Sequence, residues 1–234
     1  EPASVASALT GDTRAILAVH LGGWPCDMDA LREVIGERSI HLIEDCAQAH
    51  GALYKGRPVG GLGDVAAWSF CQDKIMTTGG EGGMVTTNDE ILWRAMWSFK
   101  DHGKSYEAVY EREHPPGFRW LHESFGTNWR MTEMQAAIGR IQLQSLEKKI
   151  KKRNSISNLY LKKLSEYYQK LNILKKPDFK CQTCPLKKSK KACSKCRHAF
   201  YRLNLFFNKT NIQTKFLMEA DKKNIQCGVG SCPE

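Results

Sequence analysis

Two short segments bring together residue types that can do chemistry. Residues 44–51 read EDCAQAHG and come at the end of an apolar run, residues 40–44 (IHLIE). Residues 69–83 read SFCQDKIMTTGGEGG and overlap the end of another, residues 65–70 (VAAWSF). Both runs have the pattern of buried strands, and side chains at the carboxyl ends of parallel strands face a ligand crevice. Asp45 and Gln48 are therefore placed to meet a ligand, although Asp45 as the cap of the following turn explains the same spacing. The glycine-rich turn after Lys74 lets backbone approach a ligand closely and present N–H groups to an anion. A lysine in that setting can form an imine if its amine is kept neutral, whereas an ordinary surface turn is the plainer alternative. The segment does not match the P-loop pattern of four residues between Gly and Gly-Lys-Ser/Thr.

The elements that must position these residues alternate in type. Residues 15–20 (AILAVH) read as a buried strand, Asp27 caps a helix running to about Ile35, and residues 84–87 (MVTT) are a further short strand. A helix is expected over residues 88–100, ending near Gly103, and the alternation indicates an α/β sheet. Thr132 and Gln135 match a capping box, followed at helical spacing by Met134, Ile138 and Ile141, then Leu146 and Ile150. Charge becomes lopsided from Lys148 (KKIKKR), and a second helical stretch covers about residues 155–171. A boundary is placed there, giving a large domain over 1–147 and linker helices plus part of a smaller domain over 148–234. Residues 175–197 read as a Cys- and Lys-rich insertion, 200–207 (FYRLNLFF) as a strand and 210–224 as a helix.

Hydrophobic residues make up 41% and charged residues 26% of the 234, which is ordinary for a globular protein. No stretch approaches the roughly 18 apolar residues of a membrane span, and the N-terminus lacks the pattern of a signal peptide. The chain is accordingly expected to be cytoplasmic and independent of membranes. The formal charge of +10 suits an anionic partner, with a solvated lysine-rich face as the bland alternative. Nine cysteines without an export signal point to thiols or metal ligands rather than a disulfide framework. Cys181, Cys184, Cys193 and Cys196 form two C-x2-C pairs separated by eight residues. Structural zinc and free thiols are both compatible with that spacing.

Taken in order, Val19-His20, EDCAQAHG, SFCQDKIMTTGGEGG and residues 126–139 (GTNWRMTEMQAAIG) resemble the DegT/DnrJ/EryC1/StrS sugar aminotransferases. The resemblance is close over about residues 13–153 and looser from His198 onward. It implies the fold type I aminotransferase architecture, with a mostly parallel central sheet in a partial large domain and part of a smaller α+β domain. It also implies pyridoxal 5'-phosphate as cofactor and a homodimer with shared active sites. By motif, Lys74 would hold the cofactor through a Schiff base and shuttle a proton, and Asp45 would pair with the pyridine nitrogen. Gln48 would contact the ring oxygen or face, Ser69 the phosphate, and Asn128 the phosphate of the other subunit's cofactor. Residues 119–128 would lie near the substrate. Related sugar dehydratases carry histidine in place of this lysine, so Lys74 favours transamination.

The physical chemistry agrees with that assignment. An aspartate beside a pyridinium stays ionised, and a partly buried lysine beside the same cation is pushed toward the neutral amine. The implied reaction transfers an amino group from glutamate to a keto group of a nucleotide-linked sugar, a UDP- or dTDP-linked 4-keto-6-deoxy sugar for surface polysaccharide. The alternatives are a 3-keto sugar as acceptor, or a non-enzymatic basic module binding nucleic acid through its Cys- and Lys-rich region; the favoured reading needs no nucleic acid. His50 and His102 suit substrate contact and core or cap roles equally. The chain has no initiator Met, and the family's second phosphate loop and stacking aromatic are expected upstream of Glu1. Residues 1–234 alone are therefore expected to bind pyridoxal phosphate poorly and to show no turnover. Expressing them beside the longer protein and comparing visible absorbance, solubility and turnover checks this, and a soluble, yellow, active 234-residue chain would contradict it.

Overall fold

The computed structural model describes residues 1–169, 174–175 and 195–230. Helix α1 (Pro2–Ala8) is followed by strand β1 (Ala15–Val19), helix α2 (Met28–Ile35) and strand β2 (His41–Asp45). The hairpin β3 (Leu53–Tyr54) and β4 (Arg57–Pro58) leads to β5 (Val65–Ser69) and β6 (Gly83–Thr86). Strands β1, β2 and β5 run parallel, β6 pairs antiparallel with β5, and the order across the sheet is β1-β2-β5-β6. Beyond the sheet lie α3 (Glu90–Lys100), α4 (Tyr106–Tyr110), α5 (Glu133–Gln144), α6 (Leu146–Gln169), the pair β7 (Leu174–Lys175) and β8 (Phe206–Phe207), and α7 (Thr210–Lys222).

Local chemistry sets the helix starts. The Asp27 carboxylate accepts from Ala30 N, and the Asp89 carboxylate accepts from the N–H groups of Ile91 and Leu92. Thr132 and Gln135 make the reciprocal capping box that begins α5. Helix α2 then buries Met28, Leu31 and Ile35 against Ala18, Leu42 and Tyr54. Burying side chains of this size contributes about 1.5–3 kcal/mol each.

The expected strands and helices are present to within a residue or two at each end, with two departures. The helical break falls at Ser145, so α6 is one helix from Leu146 rather than a stretch beginning near residue 155. Of the strand expected over 200–207, only Phe206 and Phe207 pair, with Leu174 and Lys175. The preceding backbone is committed elsewhere. Arg197 exchanges hydrogen bonds with Leu53, Ala199 N donates to Gly23 O at 2.8 Å, and Tyr201 N donates to Gly22 O at 3.1 Å. Phe200 has φ +49, outside the extended region a strand requires. The short hairpin β3–β4 and α4 are too brief to show a periodicity in the sequence.

One buried carboxylate organises the sheet. Alternation along β2 sends Leu42 and Glu44 into the core, both 0% exposed. Glu44 Oε1 accepts from Leu62 N (2.8 Å) and Gly63 N (2.7 Å), and Oε2 accepts from Gly60 N (2.9 Å). His20 Nε2 lies 3.0 Å from Oε2, while His20 Nδ1 accepts from Cys26 N, so the ring proton sits on the nitrogen facing Glu44. Gly60 makes this loop possible: its φ is +88, and a Cβ there would come within 2.1 Å of the Trp68 ring.

Burial opposes ionisation of Glu44, but the His20 and backbone hydrogen bonds outweigh it and hold the carboxyl below its ordinary value of 4.5. A folded-state value below the unfolded one gives stability that is present above the unfolded value and lost as pH falls through the folded one. Glu44→Gln turns an amide NH2 toward N–H donors. It is expected to cost about 2–4 kcal/mol in urea unfolding at pH 7. The gap between the two proteins should narrow once pH drops below 4.5. An equal difference at pH 7 and in acid would show that the charge contributes nothing.

Candidate active site

Asp45 and Ser69 are the last residues of β2 and β5. Asp45 lies opposite Ala67, so alternation puts Asp45, Ala67 and Ser69 on the same face of the sheet. That face also carries Leu17, Val19 and Val85, which are 40–60% exposed, whereas the opposite face carries the buried Ala18, Leu42, Glu44 and Ala66. Asp45 Oδ1 accepts from Ala47 N at 2.9 Å, which is the turn-capping role open from the sequence. Its other oxygen makes no hydrogen bond among the described residues. Ser69 Oγ accepts from Cys71 N (3.3 Å), leaving its hydroxyl proton uncommitted. Gln48 Oε1 accepts from Gly22 N (2.7 Å), leaving its amide NH2 without a partner among the described residues.

Lys74 stands in a loop closed by its own threonines and glycines. Phe70 N donates to Gly82 O, Thr78 N and Thr77 Oγ1 both donate to Phe70 O, and Thr78 Oγ1 donates to Glu81 O. The Lys74 side chain is 13% exposed, with Nζ 3.2 Å from Asp73 Oδ1 and 3.4 Å from the Tyr201 hydroxyl. Burial lowers the amine's affinity for its proton, but the hydrogen bonds that the amine donates to Asp73 and Tyr201 outweigh it, and the net effect raises the pKa above 10.5. The neutral amine expected from the sequence is that of a lysine beside the cofactor's cation, whereas the protein groups alone favour the charged amine. The physical reason is the carboxylate in the adjacent position.

His50, 2% exposed, packs against Trp68 and Phe70 at ring distances of 5.3 and 5.8 Å. Among the described residues the Ser69 backbone comes near to bonding the ring, and neither ring nitrogen meets hydrogen-bond geometry. Burial first, with the charge of Lys74 adding to it, pushes the pKa down to about 4, so His50 is a neutral core residue. Asn128 is exposed and accepts from Arg130 Nε at 3.1 Å, and no hydrogen bond or ion pair joins it to Lys74, Asp45, Gln48 or Ser69. His102 has φ +60 and lies with Nε2 3.3 Å from Arg130 Nη2. Tyr201 has no signal in the sequence as a site residue, because it is 127 residues from Lys74 and lies in a segment that reads as strand.

Two groups of side chains have the types to ligate a metal. Of the cysteine array, Cys181, Cys184 and Cys193 lie outside the described residues. Cys196 alone of that array is described, with Lys55 N donating to its sulfur at 3.2 Å. His20, Glu44 and Cys46 bring ligating atoms within 4.8 Å of one another. Their hydrogen-bonding capacity is already spent: both His20 nitrogens are engaged and Glu44 accepts four hydrogen bonds. Burial, with Glu44 adding to it, pushes the Cys46 thiol far up, away from the thiolate a metal requires. This group is structural.

The mostly parallel sheet, with Asp45 and Ser69 at adjacent strand ends and Lys74 in the loop after β5, has the fold type I aminotransferase architecture. The sequence model of the DegT/DnrJ/EryC1/StrS aminotransferase family matches residues 1–225, and the chain belongs to that family. GDP-perosamine synthase of Escherichia coli O157:H7 is 40% identical over 69% of this chain and 41% of its own length. The dTDP-3-amino-3,4,6-trideoxy-alpha-D-glucose transaminase of Streptomyces venezuelae is 40% identical over 70% of this chain and 40% of its own length. The crystal structure of an aminotransferase from Psychrobacter cryohalolentis matches with a TM-score of 0.89 and 49% identity, over 98% of this chain and 57% of that one. The chain thus spans about two fifths of the length of these curated relatives.

Gln48 also has a structural duty, since it anchors the turn whose carbonyls receive Ala199 and Tyr201. Gln48→Ala should therefore destabilise the protein by about 1–2 kcal/mol in urea unfolding. No loss of stability would mean that the Gly22–Gly23 turn holds its place without the amide.

Proposed function

We propose that this chain carries the lysine-bearing part of a pyridoxal-phosphate-dependent aminotransferase acting on a nucleotide-linked keto sugar. The observation that carries the reading is the one polar group left uncommitted, among the described residues, on each of Asp45, Gln48 and Ser69, together with the poorly exposed amine of Lys74. An acid, a neutral donor, a hydroxyl and a primary amine are the set a phosphorylated pyridine aldehyde needs. When bound, that cofactor supplies an aldehyde for the amine and an electron sink for the substrate carbon.

The chain's own residues then take separate tasks. Lys74 would hold the cofactor covalently and would move a proton at the carbon that gains or loses nitrogen. The Asp45 carboxylate would keep a proton on the ring nitrogen, the Gln48 amide would donate to the ring oxygen, and the Ser69 hydroxyl would bind the phosphate. Asn128, set apart from this group, serves the phosphate of the other subunit's cofactor in a homodimer.

Glutamate is the proposed donor and a 4-keto-6-deoxy sugar the proposed acceptor, for surface polysaccharide such as O-antigen. The similarity to a transaminase named for a 3-amino sugar supports amination at the 3-position as the second reading. No described helix is long and apolar enough to cross a membrane, and we place the reaction in the cytoplasm.

The test uses the full-length protein. Lys74→Ala is expected to abolish both turnover and the visible absorbance of bound cofactor, and borohydride should fix the cofactor on the peptide containing Lys74. Incubation with glutamate and a panel of 3-keto and 4-keto nucleotide sugars then identifies the acceptor. An adduct on another lysine, or turnover in Lys74→Ala, defeats the assignment.

A further inference from the structure

Tyr201 reaches the Lys74 loop from the far end of the chain. It is 7% exposed, its hydroxyl donates to Asp73 Oδ2, and Lys74 Nζ lies 5.0 Å from its ring centroid as well as 3.4 Å from its oxygen. With Asp73 Oδ1 at 3.2 Å, the ammonium rests among a carboxylate, a phenol oxygen and an aromatic face, all of which favour the charged form. The backbone that carries Tyr201 is held independently of Lys74. Tyr201 N donates to Gly22 O, Ala199 N donates to Gly23 O, and Arg153 Nη1 donates to Phe200 O at 3.0 Å. Gly22 is itself fixed by Gln48.

We propose that Asp73 and Tyr201 form a catch that holds the free Lys74 side chain in one orientation and must release it before the amine bonds to an aldehyde. This rests on the function proposed above and deepens it. Attack on a carbonyl carbon needs the nitrogen lone pair, which an ammonium lacks. One proton therefore passes from Nζ to solvent, a C=N bond replaces the C=O bond, and the carbonyl oxygen leaves as water with the two protons that remained on nitrogen. Asp73 governs how readily that proton is lost, and Tyr201 governs where the nitrogen sits. Both are positioning residues.

The other titratable groups around the catch are accounted for. Arg202 Nη2 lies 3.7 Å from Asp73 Oδ2 and 3.4 Å from the Tyr201 oxygen, so it shares the carboxylate with Lys74. Asp73 is held below its ordinary value, first by the Tyr201 hydrogen bond and then by Lys74, with the Cys71 thiol adding a smaller contribution. His50 is neutral above about pH 4 and adds no charge.

The experiment measures capture of pyridoxal phosphate by cofactor-free full-length protein from about pH 6 to pH 10, spanning the free-lysine range. Borohydride stops each sample, and the modified Lys74 peptide is counted. Asp73 is half exposed, so Asp73→Asn is expected to fold, which circular dichroism verifies. In that variant the midpoint of the pH profile should move down and capture at neutral pH should speed up, roughly tenfold for each pH unit by which the midpoint falls. Tyr201→Phe, which removes the phenol oxygen from the same amine, should likewise speed capture at neutral pH. An unmoved midpoint in Asp73→Asn, or wild-type rates in Tyr201→Phe, overturns the catch. Failure of the wild-type protein to form any adduct on Lys74 overturns the proposed function itself.

Discussion

The hydrogen-bonded carboxylate of Glu44 is the constraint on which the rest of the site depends. It is a charge placed wholly out of water, tolerable because three backbone N–H groups and the His20 ring surround it. Through those bonds it joins the end of β1, the middle of the sheet and the loop over residues 60–63. Glu44 points inward, and the pleat therefore points Asp45 outward at the open end of β2. A carboxylate on the open face and a structural one in the core thus stand side by side in the chain, separated only by the face each occupies.

The same division runs through the neighbouring residues. Gln48 spends its oxygen on the Gly22–Gly23 turn and keeps its NH2 uncommitted, while Ser69 accepts a backbone bond and keeps its proton uncommitted. Each side chain is fixed by one bond and offers another, which orients it without filling its capacity. Lys74 is different. Its amine is engaged by Asp73 and Tyr201, so the residue with the most reactive group is the one whose reactivity is restrained. That restraint is electrostatic and reversible, since it depends on a proton.

Much of this is legible in the sequence because it rests on short-range rules. Strands β1, β2, β5 and β6 follow from apolar runs, and α2 and α5 follow from Asp27 and from the Thr132–Gln135 box. The positions of Asp45 and Ser69 at strand ends follow from where those runs stop. The expected strand over 200–207 fails because its residues have the right types but the backbone groups at its start and just before it bond to Gly22, Gly23 and Leu53. Competition between distant hydrogen-bond partners leaves no trace in a local pattern.

By itself, then, the sequence determined the residue types at the strand ends, the glycine-closed lysine loop, the helix starts and the family, since each depends on neighbours a few positions apart. Only the tertiary structure decided which face of the sheet stays open, that His50 is core, and that Glu44, His20 and Cys46 are no metal site. It alone brought Tyr201 across 127 positions to the Lys74 amine and set beside that amine the groups that raise its affinity for a proton. A pKa is set by what surrounds a group in space, and those surroundings exist only once the chain has closed on itself.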